Sequence, residues 1–464
     1  SSMTTICIES FLPCLESIDS SAVSGQALVL DPVNFSSNFP IIGQEYFSLK
    51  LRTKGGTPFG LDSGDLNFTQ NQFLVNRVRN RIDTAADMQA LAFDFTTSEA
   101  RRNNRRKLSS SFTGTFSDIF IKIMRTELNS RKRLAVEPTL GEKRIVFPNL
   151  RPFDAIHHMK RQATNQSSGE ATYMFFEDLS SYNFRSLQSM NTSSPVCEYQ
   201  YVEPITDPNQ GEQPAADSDI FDIQDFTLMN PGDTLENELR GTYASTLISY
   251  DTFAKKINNY TYNYIDEFFT ESHMGDNDLV GGRPIVSETP IEGTQRISDF
   301  PTKTFLAPTA NKYVNGLDTG KSIAFPTCAG LYPFNAVNTE NWLQRRNSQL
   351  NQLNTAVQAE ITVFGNCGIR CGDKILLKMP STTAANIQEE GEQGVDSLFS
   401  GEFLVRSIRH DFDFSRQTHM MIMRIIKDTL GLEIKNLLQG LEKSPIGPGF
   451  TDVFNFANIN IEEE

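Results

Sequence analysis

Two long apolar runs near the C-terminus constrain the fold of this chain more than any other feature. Residues 401–410 and residues 418–426 flank the short polar turn at residues 413–416, so they predict a β-hairpin. Strands as apolar as these are usually covered on both faces, one by a barrel interior and the other by a neighbouring element. The hairpin therefore predicts part of a β-barrel that packs against another element.

The N-terminal part of the chain shows the period of two that is typical of strands. Short alternating runs end at turns, as at residues 27–32, 43–51, 73–78 and 88–95, and no helical period intervenes. Residues 1–108 are therefore predicted to form a first antiparallel β-barrel.

The pattern changes to a helical period after Gly114. Pro152 is predicted to begin a second helix, since proline in the first turn loses no hydrogen bond there. Apolar runs at residues 143–147 and 171–177 predict strands, so residues 109–196 are predicted to form an α/β domain. The first helix is predicted from apolar residues three or four positions apart, namely Phe116, Ile119, Phe120, Ile123, Met124 and Leu128.

The remainder is predicted to contain a second β-barrel with a long interruption. The barrel comprises residues 197–269 and 356–430, and residues 270–355 form a loop-rich insertion that ends in a helix beginning near Trp342. Residues 431–464 are predicted to be a C-terminal tail that docks on a partner. The predicted fold class is thus α+β and β-rich, with two similar antiparallel β-barrel domains, an α/β domain and a loop-rich insertion.

Charge and cysteine usage exclude several classes of protein. The net charge of -15 argues against a nucleic-acid-binding surface as the main function, because phosphate binding needs clustered positive charge. Six scattered cysteines make no disulfide framework, so folding in a reducing cytoplasm is expected. No run approaches the roughly 18 apolar residues of a membrane span, and the first residues do not have the pattern of a secretion signal.

Cysteine and histidine spacing near the hairpin raises the question of a metal site. Cys367 and Cys371 are followed by His410 and His419, and a symmetric hairpin would place the two histidines opposite each other. Buried strand thiols with a cross-strand histidine pair are the preferred interpretation, so no metal site is assigned. Metal binding by these four residues stays an open alternative.

Two further motifs are interpreted as structural. Residues 315–322 approximate a phosphate-binding loop, but the first glycine comes one position late and no apolar strand precedes it. His157 and His158 are adjacent on a helix and point about 100° apart, so they cannot share a metal. One of them is predicted to be exposed and the other half-buried.

The densest positive run of the chain is a candidate contact with a partner. It lacks interleaved aromatic residues for base stacking, so the preferred interpretation is a solvated loop that pairs with an acidic surface on a neighbouring subunit. No catalytic triad, nucleophile elbow or closely spaced carboxylate pair appears, so the chain is predicted not to be an enzyme. The run consists of Arg101, Arg102, Arg105, Arg106 and Lys107.

The order of these parts and several local strings resemble one known family. The likeness rests on three sets of residues. They are residues 372–375 with 401–410 and the apolar run after Thr418, residues 150–156 before 173–177, and residues 112–114 before the first helix. The chain resembles the baseplate central hub proteins of contractile-tailed bacteriophages, whose fold is shared with the upper part of type VI secretion VgrG spikes. The likeness extends to about residue 430.

The resemblance implies a homotrimer in which each subunit contributes two similar barrels to a ring of six. Such a ring adapts a six-fold tail tube to a three-fold central spike and forms part of the DNA ejection channel, where an acidic wall would not retain DNA. The implied partners are the tube, the spike, baseplate wedge or tape-measure proteins, and DNA in transit. The implied location is the virion tail baseplate, assembled in the host cytoplasm, with no cofactor.

Two alternative functions remain, and one further set of interface residues is predicted. A VgrG-like spike component would be expected to continue into a β-helical repeat, and a tail-associated cell-wall hydrolase would need a carboxylate pair in a cleft. Besides the basic run, the hairpin residues expected at a subunit or partner interface are Phe403, Val405, His410 and His419.

Overall fold

The computed structural model describes residues 12–31, 41–48, 50–52, 65–67, 72–85, 88–201, 221–230, 233–251, 255–275, 282–286, 290, 293–308, 342–380, 396, 399–413, 416 and 418–430. The phosphate-loop-like residues 315–322, about half of the predicted insertion and the tail from residue 431 lie outside these ranges.

The first β region is built from strands whose side chains alternate between two environments. In the last of these strands Leu91, Phe93 and Phe95 are buried while the residues between them are half-buried, as the period of two predicts. The strands are β1 (Leu12–Ser17), β2 (Ser24–Asp31), β3 (Tyr46–Phe47), β4 (Lys50–Arg52), β5 (Asp65–Asn67), β6 (Phe73–Ala85) and β7 (Met88–Thr97).

The middle of the chain combines helices with short sheets around an aromatic core. The Phe120 ring stacks on Phe184 with a centroid distance of 4.9 Å, and Phe153 meets Phe175 edge to face at 5.4 Å. The helices are α1 (Ser98–Arg105), α2 (Phe116–Lys122), α3 (Pro152–Lys160) and α4 (Leu187–Asn191), and the strands are β8 (Leu108–Gly114), β9 (Arg133–Val136), β10 (Lys143–Leu150), β11 (Tyr173–Glu177) and β12 (Ser181–Ser186).

The two predicted helices of this region are confirmed, with one difference. All six apolar residues of the predicted stripe are buried, but the turns after α2 widen into a π-helix at Ile123–Glu127. The helix predicted at Pro152 is also present as α3, with Phe153, Ile156 and Met159 buried. His157 is half-buried and His158 is exposed, as predicted.

The predicted basic loop is wrong, because Arg101, Arg102 and Arg105 lie in helix α1. Glu99 and Asn103 are four residues apart on one helical face, and both are buried. The Asn103 side-chain oxygen accepts a hydrogen bond from the Phe153 backbone N–H at 2.8 Å, at the start of α3. Because Glu99 and Asn103 are buried, helix α1 has a buried side that its charged composition does not indicate.

The last part of the described chain is again rich in strands. The strands are β13 (Cys197–Gln200), β14 (Ile223–Asn230), β15 (Ala244–Asp251), β16 (Lys256–Asn263), β17 (Arg283–Pro284), β18 (Lys303–Pro308), β19 (Val357–Phe364), β20 (Lys374–Lys378), β21 (Gly401–Asp413), β22 (Thr418–Lys427) and β23 (Thr429–Leu430). The helices are α5 (Thr234–Leu239), α6 (Tyr264–Glu267) and α7 (Leu343–Thr355), with single 3₁₀ turns at Phe268–Thr270 and Ile297–Asp299.

The predicted hairpin is confirmed and lies in the middle of the largest sheet. Strands β21 and β22 pair antiparallel from Leu404 opposite Ile426 to Asp413 opposite Thr418, with a bulge between Val405 and Ser407. The outer edge of β22 pairs with β19, and the outer edge of β21 pairs with β1 and β20. Its apolar composition follows from this central position.

The two β regions join in one sheet, which differs from the two separate barrels predicted from the sequence. The order along its main path is β14-β19-β22-β21-β1-β2-β7-β6-β3, with β20 and β13 added beside β21. The junction is the antiparallel pair β1 and β21, in which Cys14 lies opposite His410 and Glu16 opposite Ile408. Because the edge of each region is used to pair with the other, no sheet closes into a barrel within the described ranges.

Smaller sheets complete the structure. Strands β15, β16 and β18 form a three-stranded sheet next to helix α7, whose Gln344 amide donates to the Ser245 carbonyl at 2.9 Å. This helix confirms the prediction made at Trp342, and the tryptophan itself is buried. Among the described helices, none combines the length and apolarity that crossing a membrane requires.

Candidate functional site at the junction of the two β regions

The pairing of β1 with β21 encloses a set of charged and polar side chains, which we call the junction network. Its members come from both β regions and from the α/β part, and most of them are fully buried. Buried charges are costly unless they are paired or hydrogen-bonded, so their partners decide what the site does. The network consists of Glu16, Lys132, Glu177, Asp178, Arg370, His410 and His419.

A buried ion pair forms the centre of the network. The Lys132 ammonium lies 2.7 Å from Oε1 of Glu177, and both side chains are at most 1% exposed. The other carboxylate oxygen of Glu177 accepts hydrogen bonds from the Val23 backbone N–H at 2.9 Å and the Thr97 hydroxyl at 2.8 Å. Glu177 thus binds the first β region to the α/β part.

The surroundings act differently on the two groups of this pair. Burial would lower the pKa of Lys132, but the charge and hydrogen bond of Glu177, with the charges of Glu99 and Asp178, together outweigh burial and raise that pKa. The pKa of Glu177 is raised, because burial and the Glu99 charge outweigh the opposing effects of Lys132 and the Val23 N–H. Since the carboxylate accepts three hydrogen bonds, one of them from the Lys132 ammonium itself, we take both groups as charged.

Asp178 follows Glu177 and closes a tight turn by accepting five hydrogen bonds. The donors are the backbone N–H and hydroxyl groups of Ser180 and Ser181 and the amide of Asn183, at 2.6–2.9 Å. Burial opposes ionisation, but the Arg370 charge and these hydrogen bonds hold the pKa of Asp178 below its usual value. Asp178 is therefore a carboxylate at the core of the molecule.

A chain of three side chains crosses from β1 to β22. Oε1 of Glu16 lies 3.1 Å from Nε2 of His410, and Nδ1 of His410 lies 3.2 Å from Nε2 of His419. The second oxygen of Glu16 accepts from the Leu179 backbone N–H at 3.1 Å. The His419 ring stacks on Phe412, the residue directly opposite it in the hairpin, at a centroid distance of 4.0 Å. The predicted contact between the histidines therefore exists, but it is diagonal.

All three groups of this chain are neutral near pH 7. Burial, with the Asp178 charge, raises the pKa of Glu16 to about 8. Burial, with the Arg370 charge, lowers the pKa of His410 to about 3, and burial with His410 lowers that of His419 to about 3. The consistent arrangement has the Glu16 O–H donating to Nε2 of His410 and Nδ1–H of His410 donating to His419.

Close packing of Gly365 against the His419 ring provides a test of the position of that ring. A Cβ atom added at Gly365 would overlap the His419 ring, so Gly365→Ala is expected to displace the ring and lower the free energy of unfolding by about 1–3 kcal/mol. Denaturant unfolding would measure the loss. The double variant Gly365→Ala with His419→Ala removes the overlap, so Gly365→Ala should cost less stability in the His419→Ala background than in the wild type. An equal cost in both backgrounds would contradict the packing argument.

Cys367 and Cys371 lie in different parts of the core. Cys367 packs in the core of the first β region and Cys371 in that of the second, and both are free thiols. Burial and the charges of Glu16 and Asp178 raise the pKa of Cys371 well above its usual value, which disfavours the thiolate that binds metals. Over the described ranges no group of three or more potential ligands could hold a metal ion.

The residues predicted for an interface occupy different environments. Phe403, Val405 and His410 are at most 1% exposed and lie in the chain's own core. Their side chains therefore cannot contact a partner, which corrects the predicted interface role. His419 is half-buried, and Arg105, Arg106 and Lys107 are exposed. For these four residues, and for the half-buried Arg101 and Arg102, an interface role stays a prediction.

The junction network can hold parts of the chain together, but the Lys132–Glu177 pair at its centre is sealed from water and cannot contact a substrate. Five of the seven members were not predicted from the sequence, namely Glu16, Lys132, Glu177, Asp178 and Arg370. The available signals were a lone glutamate in the apolar first strand and an acidic pair, Glu177-Asp178, directly after the apolar run at residues 171–176. The partners come from distant parts of the chain, so no local pattern connects them.

Comparisons with known proteins give similar folds without sequence similarity. No protein-family model matches the chain, and no curated protein is significantly similar in sequence. The tail protein from Neisseria meningitidis MC58 is similar over 90% of this chain and 92% of its own, with 10% identity and a TM-score of 0.48. The 43 kDa tail protein of prophage MuSo2 from Shewanella oneidensis is similar over 90% and 94%, with 9% identity and a TM-score of 0.47.

A third similar structure comes from a secretion system. It is an E. coli component of the type VI secretion system, similar over 90% of this chain and 73% of its own, with 8% identity and a TM-score of 0.40. The solved structures to which this chain is similar thus include two phage tail proteins and a type VI secretion component.

Proposed function

We propose that this chain is a structural hub of a phage tail baseplate, a trimeric ring that adapts a six-fold tail tube to a three-fold central spike. The observation that carries the proposal is the joining of the two β regions through β1 and β21 above a sealed ion pair. The paired backbone groups of β1 and β21 and the buried network oppose relative movement of the two β regions. An adaptor between two parts of a tail needs this rigidity. The order of parts in the sequence supports the same assignment.

The burial of the charged groups favours a structural role over catalysis. Within the junction network, Glu16, Glu177 and His410 are groups that could serve acid–base chemistry, and each is 0% exposed. A general acid or base must come within hydrogen-bonding distance of its substrate, directly or through one water molecule. We therefore assign no enzymatic activity to this chain.

The proposed assembly defines partners and location. The chain would form a homotrimer, with the two β regions of each copy as the repeated units of the ring. It would contact the tail tube, the central spike and wedge or tape-measure proteins, with DNA only in transit through the channel. The net charge of -15 suits a channel wall that does not bind DNA. The proposed location is the virion tail baseplate, assembled in the host cytoplasm.

Solution mass and particle imaging of the purified chain test this proposal. The expected result is three times the mass of one 52.1 kDa chain, with ring-shaped particles of three-fold symmetry by electron microscopy. A monomer at the highest attainable concentration, with no rings, would contradict it. Degradation of purified peptidoglycan by the chain would favour the hydrolase alternative instead.

A further inference from the structure

The charge of this acidic chain is strongly segregated. Residues 98–161 contain 15 Lys and Arg and 6 Asp and Glu, a net charge of +9. The whole chain has 42 basic and 57 acidic residues, so the remainder has 27 and 51, a net charge of -24. The sequence run at residues 101–107 supplies only five of these cations, and the fold determines where the others lie.

The fold gathers several of these cations on one surface. Arg102 donates through Nη1 to the Leu128 and Asn129 carbonyls at 2.7 and 2.9 Å, which fixes helix α1 beside the loop that follows the π-helix. Arg125 donates to the Ser130 carbonyl of the same loop at 2.6 Å. We call the resulting set the basic surface, and it consists of Arg101, Arg102, Arg105, Arg106, Lys107, Arg125, Arg131 and Arg133.

Few acidic groups neutralise this surface from within the chain. Glu99 faces the interior and is 3% exposed. Glu127 is half-buried and pairs with Arg106 at 3.5 Å. Within the described ranges Arg105, Lys107, Arg131 and Arg133 are exposed and have no ion-pair partner. Arg131 and Arg133 flank Lys132, so the middle residue of this triplet enters the junction network while its neighbours project to solvent.

Long-range electrostatics restrict how two copies of such a chain can meet. Copies that each have a net charge of -15 repel one another over most approaches. An approach that places the +9 region of one copy against the -24 remainder of the next is attractive instead. Exposed acidic side chains outside residues 98–161 include Asp225, Asp233, Asp266 and Glu267.

We infer that the basic surface is an intersubunit contact, which binds the acidic remainder of a second copy of this chain in a head-to-tail manner. The two sides of such a contact are different surfaces, so it is heterologous, and a heterologous contact that closes gives a cyclic ring. The inference rests on the proposed trimer and names the surface that forms it. The absence of aromatic residues among the cations of residues 101–107 disfavours single-stranded nucleic acid as the occupant.

Charge reversal of the unpaired cations tests the contact. The variant Arg105→Glu, Lys107→Glu and Arg133→Glu changes exposed groups only and leaves Arg102 and Arg125 in their structural hydrogen bonds. Sedimentation of wild type and variant would be compared at about 0.05 M and about 0.5 M salt. Attraction between surface charges is weakly screened at the lower salt concentration and strongly screened at the higher one. We expect the variant to associate roughly tenfold or more weakly at the lower salt, and the wild type to weaken at the higher salt.

A matched control reverses three cations elsewhere. The variant Lys378→Glu, Arg416→Glu and Arg424→Glu changes the net charge equally at exposed positions outside residues 98–161, and it is expected to associate as strongly as the wild type. Circular dichroism would verify folding, and the milder glutamine series at residues 105, 107 and 133 would replace any variant that fails to fold.

The outcomes separate this inference from the proposed function. A trimer that persists unchanged in the basic-surface variant would overturn the contact while leaving the hub proposal intact. A wild type that never associates would overturn both. Binding of duplex DNA by the wild type, lost in the variant with no change in mass, would assign the basic surface to nucleic acid and overturn the inference.

Discussion

Replacing Lys132 by methionine is expected to lower the free energy of unfolding by about 3–5 kcal/mol, because it leaves the Glu177 carboxylate buried without its counter-ion. Glu177 is 0% exposed and lies where the Val23 backbone and the Thr97 side chain meet the α/β part. The remaining donors are neutral, so they cannot replace the ammonium. Urea unfolding of wild type and Lys132→Met would give the difference.

The double variant Lys132→Met with Glu177→Gln separates the loss of charge pairing from the loss of packing. Glutamine keeps the shape of Glu177 and can still accept hydrogen bonds from the Val23 N–H and the Thr97 hydroxyl. The double variant is therefore expected to be more stable than Lys132→Met alone, since replacing a whole buried ion pair by neutral groups is often close to neutral. Equal stability of the two variants would show that the ion pair does not act as a unit.

A second large effect is expected in the pH dependence of the variant Glu16→Gln. The pKa of Glu16 is raised by burial from 4.5 to about 8, so the folded protein retains a proton that the unfolded chain releases. Its contribution to stability is complete below pH 4.5 and decreases as the pH rises towards 8. Glutamine does not titrate, and its amide can donate to His410 as the protonated carboxyl does.

The difference in unfolding free energy, variant minus wild type, should move in favour of Glu16→Gln by on the order of 3 kcal/mol between pH 4.5 and pH 7. The lowered pKa values of His410 and His419 cause a separate loss of stability as the pH falls below 6.5 towards 3, and this loss cancels in the difference. The variant Glu360→Gln, at a half-buried position that pairs with Arg424, serves as control, with a change of at most about 1 kcal/mol at either pH. A pH-independent difference for Glu16→Gln would exclude a protonated Glu16.

Periodicity was a reliable guide where a segment has one buried face. The stripe from Phe116 to Leu128 predicted a helix whose six apolar residues are all buried, and Pro152 marked the start of α3. The hairpin was also predicted correctly, because its two apolar runs and polar turn are local features. The predicted loop at residues 101–107 was wrong because two anchors, Glu99 and Asn103, outweigh the charged composition through contacts with distant residues.

The candidate site was the part least accessible to sequence analysis. His410 and His419 were recognised as a cross-strand pair, but their partner Glu16 is almost four hundred positions away in the chain. Lys132 stands between two arginines in a basic triplet, which predicts a solvated side chain, yet its ammonium is sealed against Glu177. Burial of a charge depends on which partner the fold supplies, and composition carries no information about that partner.

The sequence by itself determined the hairpin and the helices α2, α3 and α7, because hydrophobic period, turn residues and proline position act within a few residues of one another. Only the tertiary structure decided that the two β regions share one sheet through β1 and β21, since either edge could have closed on its own region instead. It also decided which charges are buried in the junction network and which form the basic surface. Both outcomes depend on long-range pairing, whose free energy comes from partners that meet only after folding.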